Sequence, residues 1–237
     1  MKKFIVPVAF LTVTAAGFGL YLFGRSLWVP MQRTVEGERT VAEAVRLFGP
    51  DAETRLKPYF EEAGLSFPPR KIVLIGLKDE KRLELWAEAD GKPNFIRSYE
   101  VKRASGVAGP KLAEGDRQVP EGFYRVVGLN ANSSYHLSLK LNYPNEFDLQ
   151  QAKLEGRTQV GGDIFIHGKA VSVGCLAMGD EAIEELFVLT ERVGKENVSV
   201  IIAPHDLRTR PVREGSTPGW VGRLYAELAR EMNKFKS

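Results

Sequence analysis

The chain has 237 residues, 43 % of them apolar and 27 % charged, a size that holds one substantial domain with appendages and excludes two full enzymes, and a composition that excludes wholesale disorder. Lys2, Lys3 and Arg25 are the charged residues of the first 25, and removing them from the 33 basic residues leaves 30 against 30 acidic ones. The body therefore carries no basic stripe, which excludes nucleic acid as the expected partner.

Lys2 and Lys3 precede twenty uncharged, mostly apolar residues, Phe4 to Phe23, close to the ~20 needed to span hydrocarbon. Residues 1–25 read as a signal anchor or a signal peptide. Ala15-Ala16 is small enough for a cleavage region, but no clean A-x-A follows, and the anchor is the favoured of the two. The lysine pair ahead of the run favours a body outside the cytoplasm. With one cysteine in the chain, export gives it no internal disulfide.

Residues 26–70 read as a helical linker region. Val41, Val45 and Phe48 recur at helical spacing until Gly49-Pro50 breaks the chain. A second short helix is expected from about Asp51 to Ala63, with Leu56, Phe60 and Ala63 on one side and a kink at Pro58. "SFPPR" closes the section near residue 70.

Beyond it the pattern changes to strands: "KIVLIGL", "RLELWAEA", "NFIRSYEV", "GFYRVVGL", "YHLSLKLNY", "DIFIHG" and "NVSVIIA" are short, rich in β-branched or aromatic residues and separated by turn signals. Asp90-Gly91 marks a hairpin. One long helix interrupts them, with Asp180 as its cap, Gly194 at its end and Ile183, Leu186, Phe187 and Val193 as its core stripe. A terminal helix starts near Thr217-Pro218 and sets Trp220, Leu224, Leu228 and Met232 on one face. The class is a β-rich α+β domain with helical extensions at both ends.

The chemistry-bearing stretch is "DIFIHGKAVSVGC", residues 163–175. Alternation puts Ile164 and Ile166 on one face and Phe165 and His167 on the other. His167 ends the strand, Gly168 lets the chain turn, and a loop returns to Gly174-Cys175 before a helix. An imidazole beside a thiol raises its thiolate fraction and can protonate a leaving amine, which is acyl-transfer chemistry. The ring needs a third group to fix its tautomer: Asp163, four residues back, or the carbonyl of Gly168. Gly174 suits an oxyanion role, since a missing side chain opens the backbone N–H groups around Cys175. On spacing alone a buried thiol near a chance histidine is the competing reading.

Three stretches carry more. "EGDRQVPEGFYRVVGLN", "SSYHLSLKLNYPNEFD" and "IFIHG" followed by "SVGCLAM" resemble, in order, segments of the L,D-transpeptidase catalytic domain family (YkuD-type), cysteine enzymes of the bacterial cell wall; the resemblance covers residues 71–205. It implies a YkuD-like β-sandwich or barrel with one core helix. It also implies Cys175 as nucleophile, His167 as general base and acid, Gly168 as source of the orienting carbonyl, and Gly174, Ser172 and His136 at the oxyanion or substrate. No cofactor or metal is implied. The implied partners are peptidoglycan stem peptides and, by likeness to a short-loop subgroup, a peptidoglycan-linked lipoprotein; the implied location is periplasmic, at the inner membrane through residues 4–23 or free after cleavage. Two positions depart from the commoner family pattern, Val173 in place of histidine and Ala177 in place of arginine, and the loop is short. Transfer of the acyl group therefore competes with hydrolysis of L,D-linkages or release of lipoprotein, and a non-catalytic cell-wall-binding module is the alternative of another class.

Weaker candidates are a metal site of His205-Asp206 with His136 and His167, which no paired-His spacing supports. Lys169, Arg125 and Arg103 are candidates to meet the acidic peptide, against solvated surface charge as the favoured fate of each, and the cluster of Arg208, Arg210 and Arg213 is expected as ordinary surface.

Overall fold

In the computed structural model, the described residues are 21, 24–172, 174–211 and 218–236. They fall into two units, Met1–Arg39 and Thr40–Ser237. Most of the apolar run Phe4–Phe23 lies outside the described residues, and among those described no helix is long and apolar enough to cross a membrane. The first unit contributes helix α1 (Arg25–Glu36), which Gly37 ends with φ +85°.

The second unit opens with α2 (Val41–Glu62). Thr40 caps it: its side chain accepts the Glu43 N–H while the Glu43 carboxylate accepts the Thr40 N–H, which satisfies two otherwise orphaned donors. The expected break at Gly49-Pro50 and kink at Pro58 give way to one 22-residue helix with both prolines inside it. Ala44, Val45, Gly49, Ala52, Leu56 and Phe60 form one buried face that runs through both prolines. Each proline costs about 3 kcal/mol, and burying Val45, Leu56 and Phe60 returns roughly 1.5–3 kcal/mol apiece, so packing offsets the local penalty. From Thr40 on, the segment read as a linker is part of the domain core.

Nine strands follow among the described residues: β1 (Lys71–Leu77), β2 (Arg82–Ala89), β3 (Lys92–Glu100), β4 (Arg103–Ala104), β5 (Gly122–Ser133), β6 (His136–Leu141), β7 (Phe165–His167), β8 (Leu176–Ala177) and β9 (Val198–Ala203). Their order is β3-β2-β1-β9-β5-β6-β7-β8-β4. The pairs β1–β9 and β7–β8 are parallel, and the rest are antiparallel. Asp90 and Gly91, both at positive φ, make the two-residue β2–β3 turn, the backbone an Asp-Gly pair favours. β5 joins the two halves: Gly122–Arg125 pairs with β9, and the strand pairs with β6 from Val126 on, with register shifts between Val126 and Gly128 and between Asn130 and Ser133.

The apolar runs in β1 and β9 are near-continuous because both faces are covered. Ile72, Leu74, Val198, Val200 and Ile202 enter one core with α2 and α4 (Asp180–Val193), whose Ile183, Leu186, Phe187 and Val193 are buried there. Ile75, Leu77, Ile201 and Ala203 enter a second core with α5 (Val221–Met232), where Trp220, Leu224, Leu228 and Met232 are buried as the sequence predicts. The sequence pattern missed α3 (Glu146–Leu154), although its cap was legible: Asn145 and Asp148 exchange side-chain-to-backbone hydrogen bonds.

One surface expectation is corrected. Arg208 is largely buried and donates to Asp206, Glu84 and the Phe235 carbonyl oxygen, tying the chain end to β2. Arg210 is exposed and paired with Glu80; Arg213 lies outside the described residues.

Candidate active site

His167 is the last residue of β7, with Ser138 of β6 opposite it on one side and Ala177 of β8 on the other. Five bonds close the base of the loop that follows. Gly168 N–H donates to Leu137 O at 3.1 Å, Met178 N–H to His167 O at 2.8 Å and Gly179 N–H to Lys169 O at 3.0 Å. Lys169 donates to Asp180 through both its backbone N–H and its ammonium group. Asp180 is thus the first residue of α4 and a loop anchor, while Gly179 holds the cap position that the sequence reading gave to Asp180. Gly168 is required by close approach: a Cβ there would lie 2.6 Å from Tyr135 O and 2.8 Å from Asp180 Oδ1.

The imidazole is buried, and its Nδ1–H donates to the Gly168 carbonyl oxygen at 2.7 Å. The Tyr135 ring packs on it with centroids 4.8 Å apart. Burial holds its pKa below the usual histidine value, with the Gly168 bond opposing. In the neutral ring this bond puts the proton on Nδ1 and leaves the lone pair on Nε2. Of the two orienting groups expected, the Gly168 carbonyl takes the ring; the Asp163 carboxylate is turned to Lys140 Nζ at 2.7 Å.

Cys175 is half-buried, and its thiol faces the Asp163 carbonyl oxygen at 3.8 Å. Its place follows from strand register. Ala177 lies opposite His167 in β8, and Cys175 directly precedes that strand, so the register brings the two residues onto adjoining segments of the chain. Among the described residues no hydrogen bond joins them. Burial pushes the thiol pKa up to about 11; the Asp163 carboxylate adds to this, and the Phe165 backbone amide and Lys111 ammonium oppose it. The resting pair is therefore a neutral thiol and a neutral imidazole with a free Nε2 lone pair, able to take the thiol proton as the sulfur attacks a carbonyl carbon.

Ser172 closes the turn before Cys175: its Oγ accepts the Cys175 N–H at 3.0 Å and donates to Cys175 O at 2.6 Å. The Gly174 N–H donates to Ser105 Oγ at 2.5 Å. Ser105 was missed from sequence, because β4 and β8 are two residues each and show no periodicity. The segment from Ser105 to Val119 has its own frame, also missed: Asp116 accepts the N–H groups of Leu112, Ala113 and Gln118 and the Lys111 ammonium. The "EGD" in the first matching block was its signal.

The structure engages His136 with Glu184 Oε1 at 2.9 Å and edge-on with Phe48. His205 Nε2 meets Arg210 O at 3.3 Å. The histidines thus have separate partners, and among the described residues no three His, Cys, Asp or Glu side chains are grouped to hold a metal. Arg103 and Arg125 are exposed. Val173 lies outside the described residues, and Ala177 is fully buried.

A family model for the L,D-transpeptidase catalytic domain (YkuD) matches residues 70–202. YafK of Escherichia coli K12, whose name assigns it to the L,D-transpeptidases, is 33 % identical over 132 residues, 54 % of this chain and 51 % of YafK; YafK of Escherichia coli O157:H7 matches equally. The chain thus spans about half the length of the curated relatives it matches. Among solved structures, the helical cell shape determining protein Pgp2 from Campylobacter jejuni is 22 % identical with TM-score 0.48, over 76 % of this chain and 66 % of Pgp2. Bd1075 from Bdellovibrio bacteriovorus is 18 % identical with TM-score 0.42, over 72 % and 57 %.

Proposed function

The chain belongs to the L,D-transpeptidase catalytic domain family, and from that premise we propose that it is an exported cysteine acyltransferase acting on peptidoglycan stem peptides. The observation that carries the proposal is the His167 ring, fixed by its Nδ1–H on the Gly168 carbonyl so that Nε2 is left as the basic atom, at the end of a strand whose neighbour β8 directly follows Cys175. In this reading Cys175 Sγ attacks the carbonyl on the L-centre of the stem peptide's diamino acid. His167 takes the thiol proton and returns it to the departing amine, D-alanine or another. An amine then resolves the thioester, giving an L,D cross-link or attaching a protein. A groove of about 610 Å³ lies beside the loop, lined by Lys102, Lys169, Asp180 and Glu181 among others, and is the path we assign to the peptide. We place the protein at the outer face of the inner membrane, with residues 4–23 as the anchor.

A second reading resolves the thioester with water, cutting L,D-linkages or releasing a bound lipoprotein. Ala177 favours it, being buried where an arginine would offer a cation to a substrate carboxylate. Incubating the purified protein with sacculi and separating the digested muropeptides distinguishes the two. New 3-3 cross-links support transfer and count against hydrolysis; loss of cross-links or of lipoprotein without new links does the reverse. An unchanged profile, identical to that of Cys175→Ala, overturns both and leaves a cell-wall-binding module.

A further inference from the structure

Among the described residues, two backbone donors beside the nucleophile are already engaged. The Cys175 N–H lies inside the Ser172 turn. The Gly174 N–H reaches 69 positions back to Ser105 Oγ, at 2.5 Å. Ser105 directly follows β4, in which Arg103 pairs with Ala177 and Ala104 with Leu176. Carried on by one residue, this antiparallel register sets Ser105 opposite Cys175. The serine is therefore placed by a strand ladder, next to the nucleophile.

Its oxygen spends a lone pair on the Gly174 N–H, and a hydroxyl so used still has its own proton to donate. Accepting one hydrogen bond also makes it a stronger donor of the next. Attack by the thiol puts negative charge on the acyl oxygen, and that charge needs donors fixed in advance. With the Cys175 N–H committed to the Ser172 turn, the Ser105 hydroxyl, bonded to the residue before Cys175, is the side-chain donor at hand among the described residues.

We propose that Ser105 is a further catalytic residue, whose hydroxyl, held on the Gly174 N–H, hydrogen-bonds the acyl oxygen while Cys175 attacks. The inference rests on the acyl-enzyme reading above. The Sγ–C bond forms, the carbonyl π pair moves to oxygen, and the thiol proton passes to His167 Nε2. Ser105 shares its proton without giving it up, so the same contact serves when the C–O double bond reforms and the amine leaves. The same geometry is reused when the thioester is resolved.

The test separates reactions that build an oxyanion from one that does not. A carbapenem acylates a thiol through a tetrahedral oxyanion, whereas iodoacetamide alkylates it by displacing iodide. Intact-mass spectrometry of the full chain follows both adducts on Cys175. Ser105→Ala is expected to slow carbapenem acylation roughly 100-fold while alkylation stays within about two-fold, with Ser105→Thr recovering most of the acylation rate. Acylation of Ser105→Ala at the unsubstituted rate overturns the proposal. Equal slowing of both reactions overturns it too, since Ser105 would then only support Cys175. If the unsubstituted chain is alkylated at Cys175 yet never acylated, the acyl-enzyme reading falls, and the role of Ser105 with it.

Discussion

Lys78, Glu121 and Tyr225 form one buried polar cluster, and His167 with Cys175 form another, yet the two treat their polar atoms in opposite ways. Lys78 donates to Gly109 O, Val119 O and Glu121 Oε1, all within 2.9 Å, which uses every ammonium proton. Glu121 also accepts the Gly109 N–H and the Tyr225 hydroxyl. In the other cluster, among the described residues, His167 commits Nδ1 alone, and the Cys175 thiol has a carbonyl oxygen 3.8 Å away. A saturated cluster holds structure together, here the 105–119 segment against α5. Spare valence in a buried pair marks where a reacting atom can enter.

The largest effect expected from this contrast falls on His167 and Cys175, the proposed catalytic pair. Cys175→Ala or His167→Ala should lower acyl transfer to muropeptides more than about 1000-fold, with melting temperatures close to that of the unsubstituted chain. A comparable loss of stability would make the pair structural and erase the distinction.

Glu121→Ala should do the opposite, costing about 3–5 kcal/mol of folding free energy because it leaves the Lys78 ammonium buried and unpaired; urea unfolding measures it. A shift under about 1 kcal/mol would show that the cluster relaxes into water.

Gly168→Ala lies between the two regions. The added methyl meets Tyr135 O and Asp180 Oδ1, and it should cost about 1–3 kcal/mol while lowering the acylation rate, since the carbonyl that orients His167 moves with it. Retained stability with retained activity would remove Gly168 from the account.

The smallest effects are in pH. Burial raises the Cys175 pKa to about 11, so the thiolate fraction is low at neutrality. Iodoacetamide labelling of the free protein should stay slower than that of a model thiol at pH 7–9 and climb towards pH 11. A labelling plateau below pH 8 would mean a resting thiolate. Burial also raises Asp148, to about 6, against about 3.9 in an unfolded chain. Its folded form holds the proton more tightly, so its contribution to stability is full below pH ~4 and is lost as pH rises through about 6. Asp148→Asn should flatten that segment of the stability profile in urea titrations at pH 5 and pH 7.

The contrast also explains what was legible in the sequence. β1, β2, β5 and β9 were readable because burial alternates or runs unbroken along them, and α4 and α5 because each carries apolar residues at helical spacing that enter a core. His167 and Cys175 were readable as a pair because one loop joins them. Ser105 was not, since its contact spans 69 positions and rests on two-residue strands. The α2 prolines misled because local propensity ignores a face that buries Leu56 and Phe60. Asp180 reads as a cap in its own helix, but its side chain is held by Lys169 across the loop.

The central claim is a covalent intermediate on Cys175. Purified full-length protein incubated with tetrapeptide-stem muropeptides, quenched early and weighed intact, tests it most directly. The account predicts a mass gain equal to the acyl stem without its terminal residue, located on Cys175 and absent from Cys175→Ala. Stem peptides altered with no adduct at any time, and equally fast by Cys175→Ala, would contradict it.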